Sequence, residues 1–264
     1  MSAAPHARPD PVPIDLVERT LSLDARDGAM RVFVARPRDD RPAAGVVMYM
    51  DAVGYRDELR ALARRVANQG YACWLPDLYY RDGGPAFDAY LPDRDFERFA
   101  PLMRRLVRDV IVADTATLLA AMQADPGVQA GAKGCVGFCM GGRFALWALG
   151  AFPDEFAAGA SLHGGQLGTE APDSPHRFAA AFRSELYLGF ASDDPLVPPQ
   201  HVATLERALR AAGVRYESEV HPGTEHGYMF PQRRCYQRDA AEASWSKIFA
   251  LFARRLTPAP SGAR

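Results

Sequence analysis

A cysteine framed by glycines, a pair of aspartates and two histidines in one loop are the residues of this chain whose types and spacing could do chemistry. The run Gly137-Phe138-Cys139-Met140-Gly141-Gly142 follows a short apolar stretch, Gly134-Cys135-Val136-Gly137-Phe138, and precedes a helical pattern, Arg143-Phe144-Ala145-Leu146-Trp147-Ala148-Leu149. A strand that turns directly into a helix presses the residues flanking the turn against neighbouring backbone, so side chains at Gly137 and Gly141 would clash. Cys139 is then held in a strained conformation that projects its thiol into a cleft, and the Met140 amide points where an oxyanion would develop. A free cysteine is often only a small buried hydrophobe, and such a pattern can arise by chance in a chain with 22 glycines. The strand-turn-helix setting favours a nucleophile.

A thiol nucleophile needs a base, and the base needs a group that fixes its orientation. In an open parallel sheet these lie beyond the carboxyl ends of strands. The strand-like Leu186 to Ala191 ends in Ser192-Asp193-Asp194-Pro195-Leu196-Val197-Pro198. Asp194 is preferred as the acid and Asp193 is the alternative, against a reading in which both only cap a helix beginning near Pro199. A strand from Tyr216 to Val220 runs into His221-Pro222-Gly223-Thr224-Glu225-His226-Gly227-Tyr228. His226, followed by a glycine that permits close approach, is preferred over His221, which precedes a proline. His163, at another strand end, is a pocket candidate. The chain order of nucleophile, acid and histidine is that of the α/β-hydrolase sheet.

The elements that must position these groups alternate along the chain. Leu16 to Leu23 and Met30 to Ala35 predict an antiparallel hairpin around a glycine-containing turn. Strands are expected at Gly45 to Met50 and Tyr71 to Leu75, with a helix from Arg56 to Gln69 between them that Gly70 stops. A long Gly/Pro-rich loop reaches Pro92 and is a candidate for lining a site. One helix is expected from about Phe99 to Gln123. After the elbow, strands at Ala157 to Leu162, Leu186 to Ala191 and Tyr216 to Val220 alternate with helices, and the last helix runs from about Gln237 to Leu256. The fold class is α/β, a mostly parallel central sheet with an antiparallel N-terminal hairpin and helices on both faces. One domain is expected over residues 14–256, between a flexible leader, 1–13, and a flexible tail, 257–264.

With 264 residues, 48% hydrophobic and 24% charged, the chain can bury a sizeable single core. A formal net charge of −1 gives no electrostatic ground for nucleic acid or an anionic membrane as partner. Met1 to Pro13 lacks the apolar segment of a signal peptide, and no later run is long enough to cross a bilayer, so a cytoplasmic location is expected. The cysteines, at 73, 135, 139 and 235, show no metal-ligand spacing. No metal and no cofactor is expected.

These segments together resemble the dienelactone hydrolase family, the carboxymethylenebutenolidases, within the α/β-hydrolase fold, from about Gly45 to Leu256. The resemblance is carried by Gly-Phe-Cys-Met-Gly-Gly at 137–142, Gly-Tyr-Ala at 70–72, Pro-Asp-Leu-Tyr at 76–79, Asp-Pro-Leu-Val-Pro at 194–198 and Pro-Gly-Thr-Glu-His-Gly at 222–227. It implies Cys139 as nucleophile, Asp194 as orienting acid, His226 as base, and an oxyanion hole from the Met140 and Ala52 amides. It also implies that Arg81 binds a substrate carboxylate. Asp51 stands where the family's best-known members carry a glutamate that holds and deprotonates the thiol; aspartate is one methylene shorter, which marks a divergent branch. A second substrate-binding arginine after the histidine has no clear counterpart, and Arg56, Arg143 and Arg233 are substitutes, with His163 and Tyr228 as further pocket candidates. The activity implied is hydrolysis of a small ester or lactone through an acyl-thioenzyme, by a monomer or homodimer. The alternatives are a cysteine-dependent acyltransferase, because polyester synthases use a similar elbow in longer chains with a cap, and a noncatalytic thiol sensor.

Overall fold

The computed structural model describes residues 14–39, 41–85, 87–90 and 92–256. The expected leader and tail lie outside the described residues. The chain opens with β1 (Leu16–Ala25) and β2 (Gly28–Pro37), an antiparallel pair with Ala25 opposite Gly28 across a two-residue turn. Burial along β1 alternates, as it must when one face of a strand looks to water. Six further strands follow: β3 (Gly45–Tyr49), β4 (Ala72–Pro76), β5 (Lys133–Phe138), β6 (Phe156–Leu162), β7 (Glu185–Asp193) and β8 (Tyr216–Glu225). They form one sheet in the order β1-β2-β4-β3-β5-β6-β7-β8, parallel from β4 onward, and only the hairpin and its junction with β4 are antiparallel. β3, β4 and β5 are buried at every residue, because helices cover both faces of a parallel sheet.

The helices are α1 (Asp57–Ala67), α2 (Phe96–Arg105), α3 (Arg108–Ala124), α4 (Met140–Ala151), α5 (Pro199–Ala211) and α6 (Arg238–Arg255). α1 buries Leu59, Leu62, Ala63 and Val66 on one stripe, with Asp57 and Glu58 in its first turn and Arg64 and Arg65 in its last, the charge order that the helix dipole favours. The single helix expected from Phe99 to Gln123 is two. Leu106 leaves helical geometry (φ −82°, ψ 63°) and is buried, and extended Val107 starts α3. No glycine or proline marks that break in sequence; α2 turns aside so that Leu106 joins the core. α4 starts at Met140, directly after the nucleophile candidate, and β8 continues to Glu225, so that His221 lies in a strand rather than a loop.

The carboxyl ends of β3, β5, β6, β7 and β8 open on one edge of the sheet, and they deliver Asp51, Cys139, His163, Asp194 and His226 respectively. No described helix is long and apolar enough to cross a membrane.

Candidate active site

The turn between β5 and α4 is as tight as its glycines require. Cys139 has φ 55° and ψ −119°, a region that side-chain-bearing residues rarely adopt. A Cβ on Gly137 would stand 1.9 Å from the Gly141 carbonyl oxygen, and one on Gly141 would stand 2.5 Å from the carbonyl oxygens of Tyr49 and Met50. Neither backbone can retreat, since one is the elbow itself and the other is the end of β3. The Cys139 amide donates to Leu162 O at 3.0 Å and its carbonyl accepts from the Gly165 amide at 3.4 Å, so the strained residue is pinned from the β6 side. Such strain persists only where the surroundings over-determine it.

The acid and the histidine arrive from β7 and β8. Asp194 Oδ2 lies 2.6 Å from His226 Nδ1, with the carboxylate fully buried, while Oδ1 accepts from the Leu196 amide at 2.9 Å. Asp193 faces solvent. α5 begins on Pro198 without a side-chain cap, so the carboxylate that the capping reading assigned to that helix serves the histidine and its own turn. His226 Nε2, on the far side of the ring, is buried, and the Cys139 thiol is an electrostatic neighbour of the imidazole. His221 is engaged elsewhere: its Nε2 lies 3.0 Å from Ser244 Oγ and 3.3 Å from Tyr187 Oη. Gly227 has φ 93°, where a side chain would be strained, and a Cβ there would stand 2.6 Å from Arg233 Nη1. Cys235 Sγ donates to the His226 carbonyl at 3.2 Å and holds the same loop from below, a role its polar surroundings in sequence did not signal.

The charges of this pair reinforce each other. Burial resists ionisation of Cys139, and the Asp51 charge adds to that resistance, yet the charge and hydrogen bond of His226, with the Arg233 charge, bring the thiol below its ordinary value. Burial likewise resists protonation of His226, and the Cys139 charge with the hydrogen bonds to Asp194 and Cys139 raises it above the ordinary imidazole value. Both shifts favour the proton on the imidazole.

The two amides expected to form an oxyanion hole are those of Met140, at the first position of α4, and Ala52, in the turn after β3. Neither donates to an acceptor among the described residues. Tyr79 supports both residues: its hydroxyl donates to Ala52 O at 2.9 Å and lies 3.9 Å from Met140 Sδ. Tyr79 is itself set by the Asp77 carboxylate, which accepts from the Tyr79 amide at 3.1 Å and pairs with Arg31 at 2.6 Å. Pro-Asp-Leu-Tyr thus has a mechanical role that its sequence did not reveal.

Asp51 is fully buried, and its two oxygens are taken by two guanidinium groups. Arg56 reaches Oδ1 at 2.5 Å and Arg233 reaches Oδ2, and both stack on Phe230, at 4.9 and 4.8 Å from its centroid. Arg56 also pairs with the buried Glu58 at 2.7 Å, and Glu58 accepts from the Gln232 amide at 2.7 Å. No hydrogen bond joins Asp51 to Cys139 among the described residues. Arg81, expected beside a substrate carboxylate, has other partners: its two terminal nitrogens grip Asp114 at 2.8 and 2.9 Å, its Nε donates to Asp27 at 2.8 Å, and it lies over the Tyr80 ring. Tyr228 is behind the site, fully buried, with its hydroxyl 2.9 Å from Ser244 Oγ. His163 is buried against His226, with ring centroids 4.9 Å apart, and against Tyr228 and Phe230; burial, then the His226 and Arg233 charges, keep it neutral. Arg143 reaches Gln166 on the loop after β6.

A parallel sheet with a strained elbow, an acid after β7 and a histidine after β8 defines the α/β-hydrolase class. The Dienelactone hydrolase family matches residues 30–256. The chain is 28% identical over 90% of its length to a "Putative carboxymethylenebutenolidase" of Synechocystis sp., 97% of which is covered. It is 27% identical over 88% of its length to a protein of the same name from Escherichia coli, with 84% of that chain covered. The crystal structure of a "Putative Dienelactone Hydrolase" from Klebsiella pneumoniae superimposes with a TM-score of 0.81 at 25% identity, covering 91% of this chain and 99% of the other. The protein belongs to the dienelactone hydrolase family and is a hydrolase of that type.

Proposed function

We propose that the protein cleaves a small ester or lactone with Cys139 as nucleophile, His226 as base and then acid, and Asp194 as the group that orients and charges the imidazole. The observation that carries this reading is the buried 2.6 Å contact between Asp194 and His226 Nδ1, with Nε2 left for the thiol of the strained elbow. The Cys139 thiolate attacks the carbonyl carbon, and the oxyanion accepts from the Ala52 and Met140 amides. The carbon–oxygen bond then breaks, and His226 Nε2 delivers its proton to the departing oxygen. Water attacks the thioester, gives a proton to His226, and the acid leaves as the thiol reforms. Each oxyanion donor is worth about 2.7–4 kcal/mol in such a site, so the placement of the Ala52 turn matters as much as the base.

Asp51 has a different part in this scheme. Its charge opposes thiolate formation and its oxygens hold Arg56 and Arg233, so it fixes the cations and the Ala52 turn while His226 takes the proton. A panel of 4-nitrophenyl esters and simple lactones, with mass spectrometry of the quenched enzyme, tests the whole scheme. The expected result is turnover accompanied by an acyl adduct on Cys139. Turnover that survives in both Cys139→Ala and His226→Ala would remove it, and product formed with an alcohol acceptor in preference to water would turn the protein into an acyltransferase.

A further inference from the structure

Among the described residues, the side chains carried at positive φ all belong to one place: Cys139 (φ 55°), His163 (φ 40°) and Gln166 (φ 61°). Backbone hydrogen bonds tie that place together. The Cys139 amide donates to Leu162 O at 3.0 Å, the Gly165 amide returns to the Cys139 carbonyl at 3.4 Å, and between these two contacts the His163 amide donates to Gly189 O on β7 at 2.6 Å. Residues held in sparsely populated backbone regions cluster at functional sites, and persist where the surroundings over-determine them. The elbow accounts for Cys139. His163 is strained beside it, and the reaction outlined above gives it no task.

The side chain of His163 is equally unusual. It is fully buried, and neither ring nitrogen hydrogen-bonds to another described residue. Unpaired buried nitrogens are costly, so the ring is not held in place by hydrogen bonds. It makes ring contacts instead. The His226 imidazole stands at 4.9 Å between centroids and 70° between planes, Tyr228 and Phe230 each at 5.6 Å, and Phe138 at 6.3 Å. Edge-to-face pairs at such separations are attractive and directional. Burial, then the charges of His226 and Arg233, keep the ring uncharged. Those are the charged groups that face it, since Phe138 and Phe230 offer only carbon and Tyr228 turns its hydroxyl to Ser244. A neutral neighbour does not oppose an imidazolium at His226, whereas a charged one would.

We propose that His163 is the positioning residue of the base: the end of β6 holds the nucleophile through Leu162 O and, one residue later, seats the His226 ring against the His163 imidazole. The proposal rests on the Cys139–His226 reading above and concerns how the base is oriented rather than which residue it is. Asp194 constrains one atom of the His226 ring, Nδ1, and a second contact against the ring removes the tilt that one hydrogen bond leaves free. The nucleophile and the base are thereby referred to the same strand end, and a small misplacement of either is expensive in rate.

The test compares His163→Ala, His163→Phe and His163→Gln in two readouts, the kcat and KM for 4-nitrophenyl acetate and the pH midpoint of Cys139 alkylation by iodoacetamide. Burial opposes the Cys139 thiolate, and the charge and hydrogen bond of His226 offset that, so an imidazole that loses its seat lets the midpoint rise. His163→Ala lowers kcat by about 10- to 100-fold with little change in KM, and raises the midpoint. His163→Phe supplies a ring without nitrogens and recovers most of kcat and the wild-type midpoint. His163→Gln supplies polar atoms without a ring and recovers neither. Thermal melts report which variants are folded; a merely structural loss would lower the melting temperature and leave the midpoint of the folded protein where it was. Wild-type kcat and midpoint in folded His163→Ala, or recovery by His163→Gln in place of His163→Phe, would overturn the seat while ester hydrolysis by Cys139 stands. Absence of both turnover and a Cys139 adduct in the wild type would overturn the hydrolase reading and the seat with it.

Discussion

Two buried carboxylates flank Cys139, and they differ in what they hold. Asp194, after β7, grips an imidazole; Asp51, after β3, grips two guanidinium groups. An imidazole can give its proton up near neutral pH, so a carboxylate paired with it sets the position of a mobile proton. A guanidinium stays charged at every working pH, so a carboxylate between two of them is a rivet. In the mechanism proposed here the same functional group serves proton chemistry on one side of the thiol and architecture on the other. Chain position alone would not separate them, because each follows the carboxyl end of a parallel strand.

Substitutions on the two sides should fail in different ways. The largest effect belongs to the Asp194 side: Cys139→Ala and His226→Ala each lower kcat/KM for an activated ester by about 10⁴-fold or more, and the double variant loses little further, because members of one unit are not additive. A steady-state assay of the three variants checks this. Asp194→Asn comes next, with a loss of about 10³- to 10⁴-fold in kcat, since the imidazole loses its orienting and charge-balancing partner; unchanged KM in the same assay would place the loss in the chemical step.

On the other side, Asp51→Asn leaves two mostly buried arginines without their shared counter-ion, and equilibrium denaturation should report a loss of about 3–5 kcal/mol of stability. The activity of the folded fraction should fall far less than in Asp194→Asn. A melting curve like that of the wild type, accompanied by lost turnover, would make Asp51 a participant in the chemistry. The smallest effect is at the oxyanion turn. Tyr79→Phe removes the donor to Ala52 O, and kcat should fall by about 10-fold as the amide drifts from its place, with little change in KM.

Much of this arrangement was legible in the sequence, and the exceptions have physical causes. Gly137 and Gly141 announced the elbow because the demand for no side chain comes from backbone packed against backbone, and it survives as residue identity. Of the two adjacent aspartates the preferred Asp194 is buried and Asp193 is exposed, a difference that neighbouring residues of one type do not display in sequence. The break between α2 and α3 left no trace, since Leu106 ends the helix by joining the core rather than by being glycine or proline. Long-range ion pairs were equally silent. Nothing near Arg81 in the chain points to Asp114, and nothing near Asp51 points to Arg233, because the sheet brings those partners together across the fold.

The pH dependence of Cys139 alkylation by iodoacetamide separates the two carboxylates most directly, because the signs of their influence on the thiol are opposite. In the wild type the thiolate persists below the ordinary thiol range, and the alkylation rate should hold up as pH falls toward neutrality. Removal of the His226 cation takes away the leading favourable influence, so the midpoint rises in His226→Ala. Removal of the Asp51 charge takes away an unfavourable one, so the midpoint falls in Asp51→Asn. A midpoint that rises in Asp51→Asn would contradict this division of labour and make Asp51 the base that activates the thiol.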